Sequence, residues 1–202
     1  MERPMRVPNT PMPDAVRPLQ VRSSDGLVTL DIERDAYHCR YDPLEGTLAR
    51  DDARHITRLW RELPQVMSGR LAIANIAHFT AALVRTIYDI WRLSFADLLD
   101  ACPRAPVARP ACPPDPEACA RTVASFERLC LYVPFRFQCL FRSYLLLHFL
   151  RRHGVQGQWV FGVALFPFEA HCWVVGGEFL MGERAERIAR LSPIHIVEPE
   201  RP

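Results

Sequence analysis

The chain has 202 residues, 49% of them hydrophobic, with a mean hydropathy of −0.05 and a formal net charge of +2. That composition describes a globular domain with a substantial core, and it excludes a nucleic-acid binder that works through bulk charge. Its 25 basic residues are all arginine, a compositional bias rather than a binding strategy.

The first 18 residues, rich in Pro, Met and Arg, read as a flexible arm without the apolar core of a signal peptide. Next, GLVTLDIERDAYHCRYD alternates apolar and polar residues on either side of Glu33–Arg34–Asp35. This predicts a β-hairpin, 27–32 with 36–41. In DDARHITRLWREL, Ile56, Leu59, Trp60 and Leu63 recur at helical spacing after a capping Asp51 or Asp52, and Pro64 ends the run. Residues 19–68 thus read as a small strand–strand–helix unit. A longer helix is expected over 71–99, burying a stripe of Ile73, Ile76, Leu83, Ile87, Ile90 and Trp91. His78, Arg85, Asp89 and Arg92 interrupt it, so no membrane insertion is expected.

The proline-rich stretch 102–118 reads as an exposed loop. Asp115–Pro116 then starts a helix whose apolar face is Cys119, Val123, Phe126, Cys130 and Val133. A second helix runs from Cys139 to His153 and stops at Gly154. GQWVFGVAL is a buried strand, and AHCWVV and FLM flank GGE as a hairpin.

The seven cysteines (39, 102, 112, 119, 130, 139 and 172) form no CxxC pair and show no zinc spacing. They read as reduced thiols of a cytoplasmic protein with no metal and no cofactor. One of them is differently placed. Cys139 opens a helix, where unsatisfied backbone N–H groups favour the thiolate. A nucleophilic thiolate needs a base, and the base needs an orienting group. His171, at the start of a strand, is the candidate base. Glu178 and Glu183 are the candidate acids. A three-residue GGE loop would pair Val175 with Phe179 and set His171 opposite Glu183, on the same face. Glu178 would sit at the loop tip, so Glu183 is preferred. Cys172 is expected to point away from His171 into the core, because neighbouring strand residues alternate faces. Gln138 and the Cys139 N–H are candidate oxyanion donors.

These segments resemble the transglutaminase-like cysteine proteases of lasso-peptide biosynthesis. The shared pattern is Cys-Leu-x-Arg-Ser at 139–143, Arg-Arg-x-Gly at 151–154, Phe-Gly-Val at 161–163 and Ala-His-x-Trp-Val at 170–174, within roughly residues 72–197. The resemblance implies a catalytic Cys139 and His171. It also implies an acid where Glu183 stands in place of the family's usual Asp. The stretch LVTLDIERDAYHCRYD is similar to the PqqD-like elements fused to many of these proteases, which bind a leader peptide through a sheet edge. Carried onto this sequence, that assigns leader contact to Tyr37, His38, Cys39, Arg40 and Tyr41.

The expected architecture is α+β: a papain/transglutaminase-like core (69–202) behind a winged-helix-like leader-recognition unit (19–68). The resemblance implies leader removal from a ribosomally made precursor, with the precursor peptide and an ATP-dependent, asparagine-synthetase-like lasso cyclase as partners. Two alternatives stay open: an acyltransferase using the same Cys-His-acid set, and a non-catalytic peptide-binding scaffold.

Overall fold

The computed structural model describes residues 19–23, 26–34, 36–41, 60–66, 71–102, 115–165 and 167–197. Three antiparallel strands open the fold: β1 (Leu19–Ser23), β2 (Gly26–Asp31) and β3 (Ala36–Tyr41), in the order β1-β2-β3. The β2–β3 hairpin follows the alternation in the sequence, and the Asp31 carboxylate accepts the Arg34 N–H in its turn at 3.1 Å. β1 is an addition that the sequence reading did not assign, although Leu19, Gln20, Val21 and Arg22 do alternate apolar and polar. Val28 and Leu30 on β2 are completely buried and belong to the main core. Tyr37 on β3 meets Phe168 edge-on, with centroids 5.7 Å apart.

The helix expected over 51–63 lies largely outside the described residues, and the described end of it is not helical. Arg61–Glu62 form β4, which pairs in parallel with β7 (Phe179–Leu180). Tertiary contacts decide this conformation. The Trp60 ring packs edge-on against Trp173 at 5.9 Å, and the Arg61 N–H donates to the Glu178 carbonyl at 2.7 Å.

The expected long helix is two helices, α1 (Ile73–Arg92) and α2 (Phe95–Asp100). Leu93 is extended, and Ser94 starts α2 with a reciprocal capping box to Asp97. The buried stripe of α1 is also not the expected one. Leu83 and Ile90 do pack on the core, but Ile73, Ile76, Ile87 and Trp91 are exposed. The inward face is Phe79, Ala82, Thr86 and Asp89. A buried aspartate is tolerated here because Arg85 Nε donates to it at 2.7 Å and the Tyr144 hydroxyl at 3.0 Å.

α3 (Pro116–Cys130) begins where Asp115 caps the Glu117 N–H, and α4 (Cys139–Arg152) ends before Gly154 at φ 71°. Its residues 143–150 are all buried. α4 lies on one face of a five-stranded sheet ordered β4-β7-β6-β5-β8, with β5 Gln158–Leu165, β6 Phe168–Gly176 and β8 Ser192–Val197. Cys172, Val174, Trp159 and Phe161 face α4, α1 and α3 in the main core. Val160, Trp173, Val175 and Leu180 line the opposite face, covered by Ile188 of the one-turn helix α5 (Ala185–Ile188) and by Leu191. Among the described residues no helix is long and apolar enough to cross a membrane.

Candidate active site

The first turn of α4 places Cys139 beside the middle of β6. Its N-cap, Gln138, is exposed and makes no side-chain cap bond, so the helix-start N–H groups are not satisfied by that side chain. Cys139 is half-buried, and hydrogen bonds from the Cys172 side chain, the His171 side chain and the Cys172 backbone outweigh desolvation. Together they hold its pKa at about 4.

His171 Nε2 lies 2.7 Å from Glu183 Oε2, and both side chains are buried. With Nε2 committed to the carboxylate, Nδ1 is the ring atom left for the thiol. Burial opposes the imidazolium, but the hydrogen bonds to Cys139 and Glu183 prevail and raise His171 to about 8. Burial likewise pushes the Glu183 carboxyl upward, yet its bonds to His171 and to the Arg184 N–H leave it below its ordinary value. At neutral pH the three groups form a thiolate, an imidazolium and a carboxylate in series. Such a set can attack an acyl carbon and protonate a leaving group.

The structure thus brings Cys139, His171 and Glu183 together, but not by the expected register. Gly176 pairs with Phe179 and Val175 with Leu180, so the turn is Gly177–Glu178, with Gly177 at φ 61°. Continued, that register would set Cys172 opposite Glu183. Instead the register holds only through Met181, whose N–H still donates to the Val174 carbonyl at 2.9 Å; the chain then bends at Gly182 (φ 69°), and this corner returns Glu183 to His171. Glu178 remains at the exposed tip, 3.7 Å from Arg61 Nε.

Cys172 does face the core, as alternation requires, but the core side is also the α4 side. Its thiol therefore reaches Cys139 from the face opposite His171. The bond it donates to Cys139, together with burial, drives its own pKa far up, so it stays a protonated donor rather than a rival nucleophile. Gln138 does not line the cavity. On β3, His38, Cys39 and Arg40 are exposed and Tyr37 is half-buried, away from the thiol's cavity.

Two neighbours of Cys139 have roles that the sequence reading did not assign. Arg142 donates to Glu127 on α3 and to the Gly182 carbonyl at 3.1 Å. It therefore ties the acid's corner to the nucleophile's helix. The Ser143 hydroxyl donates to the Cys172 carbonyl at 3.0 Å, fixing β6 against α4. The available signal was their spacing: three and four residues after Cys139 they share its side of the helix.

Gly162 is paired with His171 across the β5–β6 ladder. A Cβ there would lie 2.5 Å from the Trp173 ring, which stacks beside His171 with centroids 6.0 Å apart. The three polar groups open into a cavity of about 750 Å³, bounded by residues 62–66 on one side and by the α3 face of Ala120, Val123 and Ala124 on another. Among the described residues no cluster of three or more metal-ligating side chains occurs.

A family model described as the transglutaminase-like superfamily matches residues 80–195, more than half of the chain and including Cys139, His171 and Glu183, and the chain belongs to that superfamily. No curated protein and no solved structure matches it.

Proposed function

We propose that this transglutaminase-like protein is a cysteine endopeptidase that removes the leader from a ribosomally synthesised lasso-peptide precursor, working beside an ATP-dependent cyclase. The superfamily has cysteine-protease and acyltransferase-type chemistry. The observation that carries the catalytic part is the series Cys139–His171–Glu183, with Nε2–Oε2 at 2.7 Å and the thiol at a helix start. The lasso part is supported by the joint resemblance of Cys139-Leu-x-Arg142-Ser143 and Ala170-His171-x-Trp173-Val174 to the leader proteases, together with the β-hairpin ahead of them.

The Cys139 thiolate attacks the scissile carbonyl. His171 gives its proton to the leaving amine, and a thioester remains. Water, deprotonated by His171, then attacks the thioester and releases the leader's new carboxylate with the Cys139 thiolate. Glu183 keeps Nε2–H oriented and stabilises the imidazolium throughout. The β3 edge offers the leader a strand to extend.

The test is cleavage of a matching precursor by the purified chain. Cys139→Ala and His171→Ala should each abolish leader release while circular dichroism is unchanged. Glu183→Gln should lower kcat/KM by about a hundredfold or more, and Glu178→Gln by less than about twofold. Leader release by Cys139→Ala would defeat the assignment. A product joined to an added amine, with no hydrolysis, would move the protein to the acyltransferase reading.

A further inference from the structure

The acid's corner is held from two directions. One is Arg142, from the nucleophile's own helix. The other comes from the N-terminal part of the chain, more than a hundred residues away in sequence. Glu62 Oε1 accepts the Ala185 N–H at 2.8 Å. The adjoining N–H, that of Arg184, donates to Glu183 Oε1 at 3.1 Å. Two carboxylates therefore share consecutive N–H groups of one turn. Anchoring the second of these N–H groups fixes the 184–185 peptide unit and, with it, the direction of the first. Glu62 is itself placed by β4: its neighbour Arg61 is bonded to the Glu178 carbonyl, and Trp60 rests against Trp173, whose ring stacks beside His171.

We propose that Glu62 is a positioning residue for the catalytic acid, so that the N-terminal segment completes the geometry of the Cys139–His171–Glu183 series. Glu62 touches neither the thiol nor the imidazole. It acts by holding the turn that sets the Glu183 carboxylate. The charged and titratable groups that line the same cavity include Glu127, Arg142, His171, Glu183, Arg184 and Arg187, with the thiol of Cys139. This inference rests on the Cys-His-acid reading alone and needs no identity for the substrate.

The measurement is therefore made without substrate. In the full chain, the rate of Cys139 alkylation by iodoacetamide is followed against pH, with the modified residue identified by peptide mass. The wild-type midpoint is expected at about 4. In Glu62→Ala the acid swings away, the imidazolium is less well held, and the midpoint rises by about half a pH unit or more. Glu62→Gln keeps a carbonyl acceptor for Ala185 and stays near wild type. Ala185→Pro removes the same bond from the donor side. Ala185 is the first residue of α5 and Arg184 before it is already extended, so proline fits there. It should reproduce the Glu62→Ala shift, and it keeps the test alive if Glu62→Ala does not fold. Glu178→Ala, on the same sheet edge, should leave the midpoint unchanged. A wild-type midpoint in folded Ala185→Pro would overturn the proposal. So would equal shifts in Glu62→Gln and Glu62→Ala, or a shift of the same size in Glu178→Ala. Failure of precursor cleavage with these shifts intact would count against the leader-peptidase reading and not against Glu62.

Discussion

A thiol with an ordinary pKa of 9.0 becomes a ready nucleophile here because donors converge on it from both faces of β6. The charged pair exists only between two limits. Below about 4 the Cys139 thiolate takes up a proton, and above about 8 the His171 imidazolium gives its proton away. Under the proposed function, cleavage should follow a bell, rising through the first value and falling through the second, with a plateau near pH 6. A profile that climbs steadily to pH 10 would mean that the neutral imidazole is the working form. The largest contribution to the low thiol pKa comes from Cys172, the donor opposite His171. Cys172→Ala should therefore raise the alkylation midpoint of Cys139 by about one pH unit or more. Buried among apolar neighbours, alanine there leaves a small void worth about 1 kcal/mol. An unchanged midpoint would leave the helix terminus and His171 as sufficient causes.

At the scale of elements, legibility depended on whether the signal was local. α4 was readable from Cys139 to its glycine stop because its start and end chemistry lie in its own residues. The start of α3 at Asp115–Pro116 was readable for the same reason. The apolar face of α1 was not, because its burial is set by partners. Asp89 goes inward only because Tyr144 and Arg85 meet it, while the larger Trp91 stays outside. Glu183 was found by assuming a three-residue turn, yet the actual contact comes from the Gly182 corner that no pairing rule contains. Gly162 carries a consequence of the same kind. Its missing side chain is the space occupied by the Trp173 ring beside His171. Gly162→Ala should displace that ring, lower kcat/KM about tenfold or more, and cost about 1–3 kcal/mol by overpacking. Paired thermal denaturation and cleavage assays would check both. Normal activity with lowered stability would show that Trp173 supports the sheet without steering the imidazole.

At the scale of the molecule, the change of sequence character near residue 68 suggests two units, but the packing crosses it. β2 puts Val28 and Leu30 into the same core as α4, and β4 extends the sheet that carries His171. Burying two such side chains contributes about 3–6 kcal/mol, an upper figure because denatured chains are partly compact. A domain of this size has only about 5–15 kcal/mol of net stability. A chain beginning at Leu71 also loses the Trp60–Trp173 contact and the Glu62 bond to the acid's turn. It should therefore unfold over a broad temperature range, bind a hydrophobic dye, and lose the selective alkylation of Cys139 at pH 6. Residues 1–70 supplied as a separate polypeptide should restore part of that alkylation, since the missing strands add at a sheet edge and a core face rather than thread through the fold. A truncated chain with a sharp transition and wild-type thiol reactivity would show the opposite: that the catalytic core stands alone and the N-terminal strands serve the leader only.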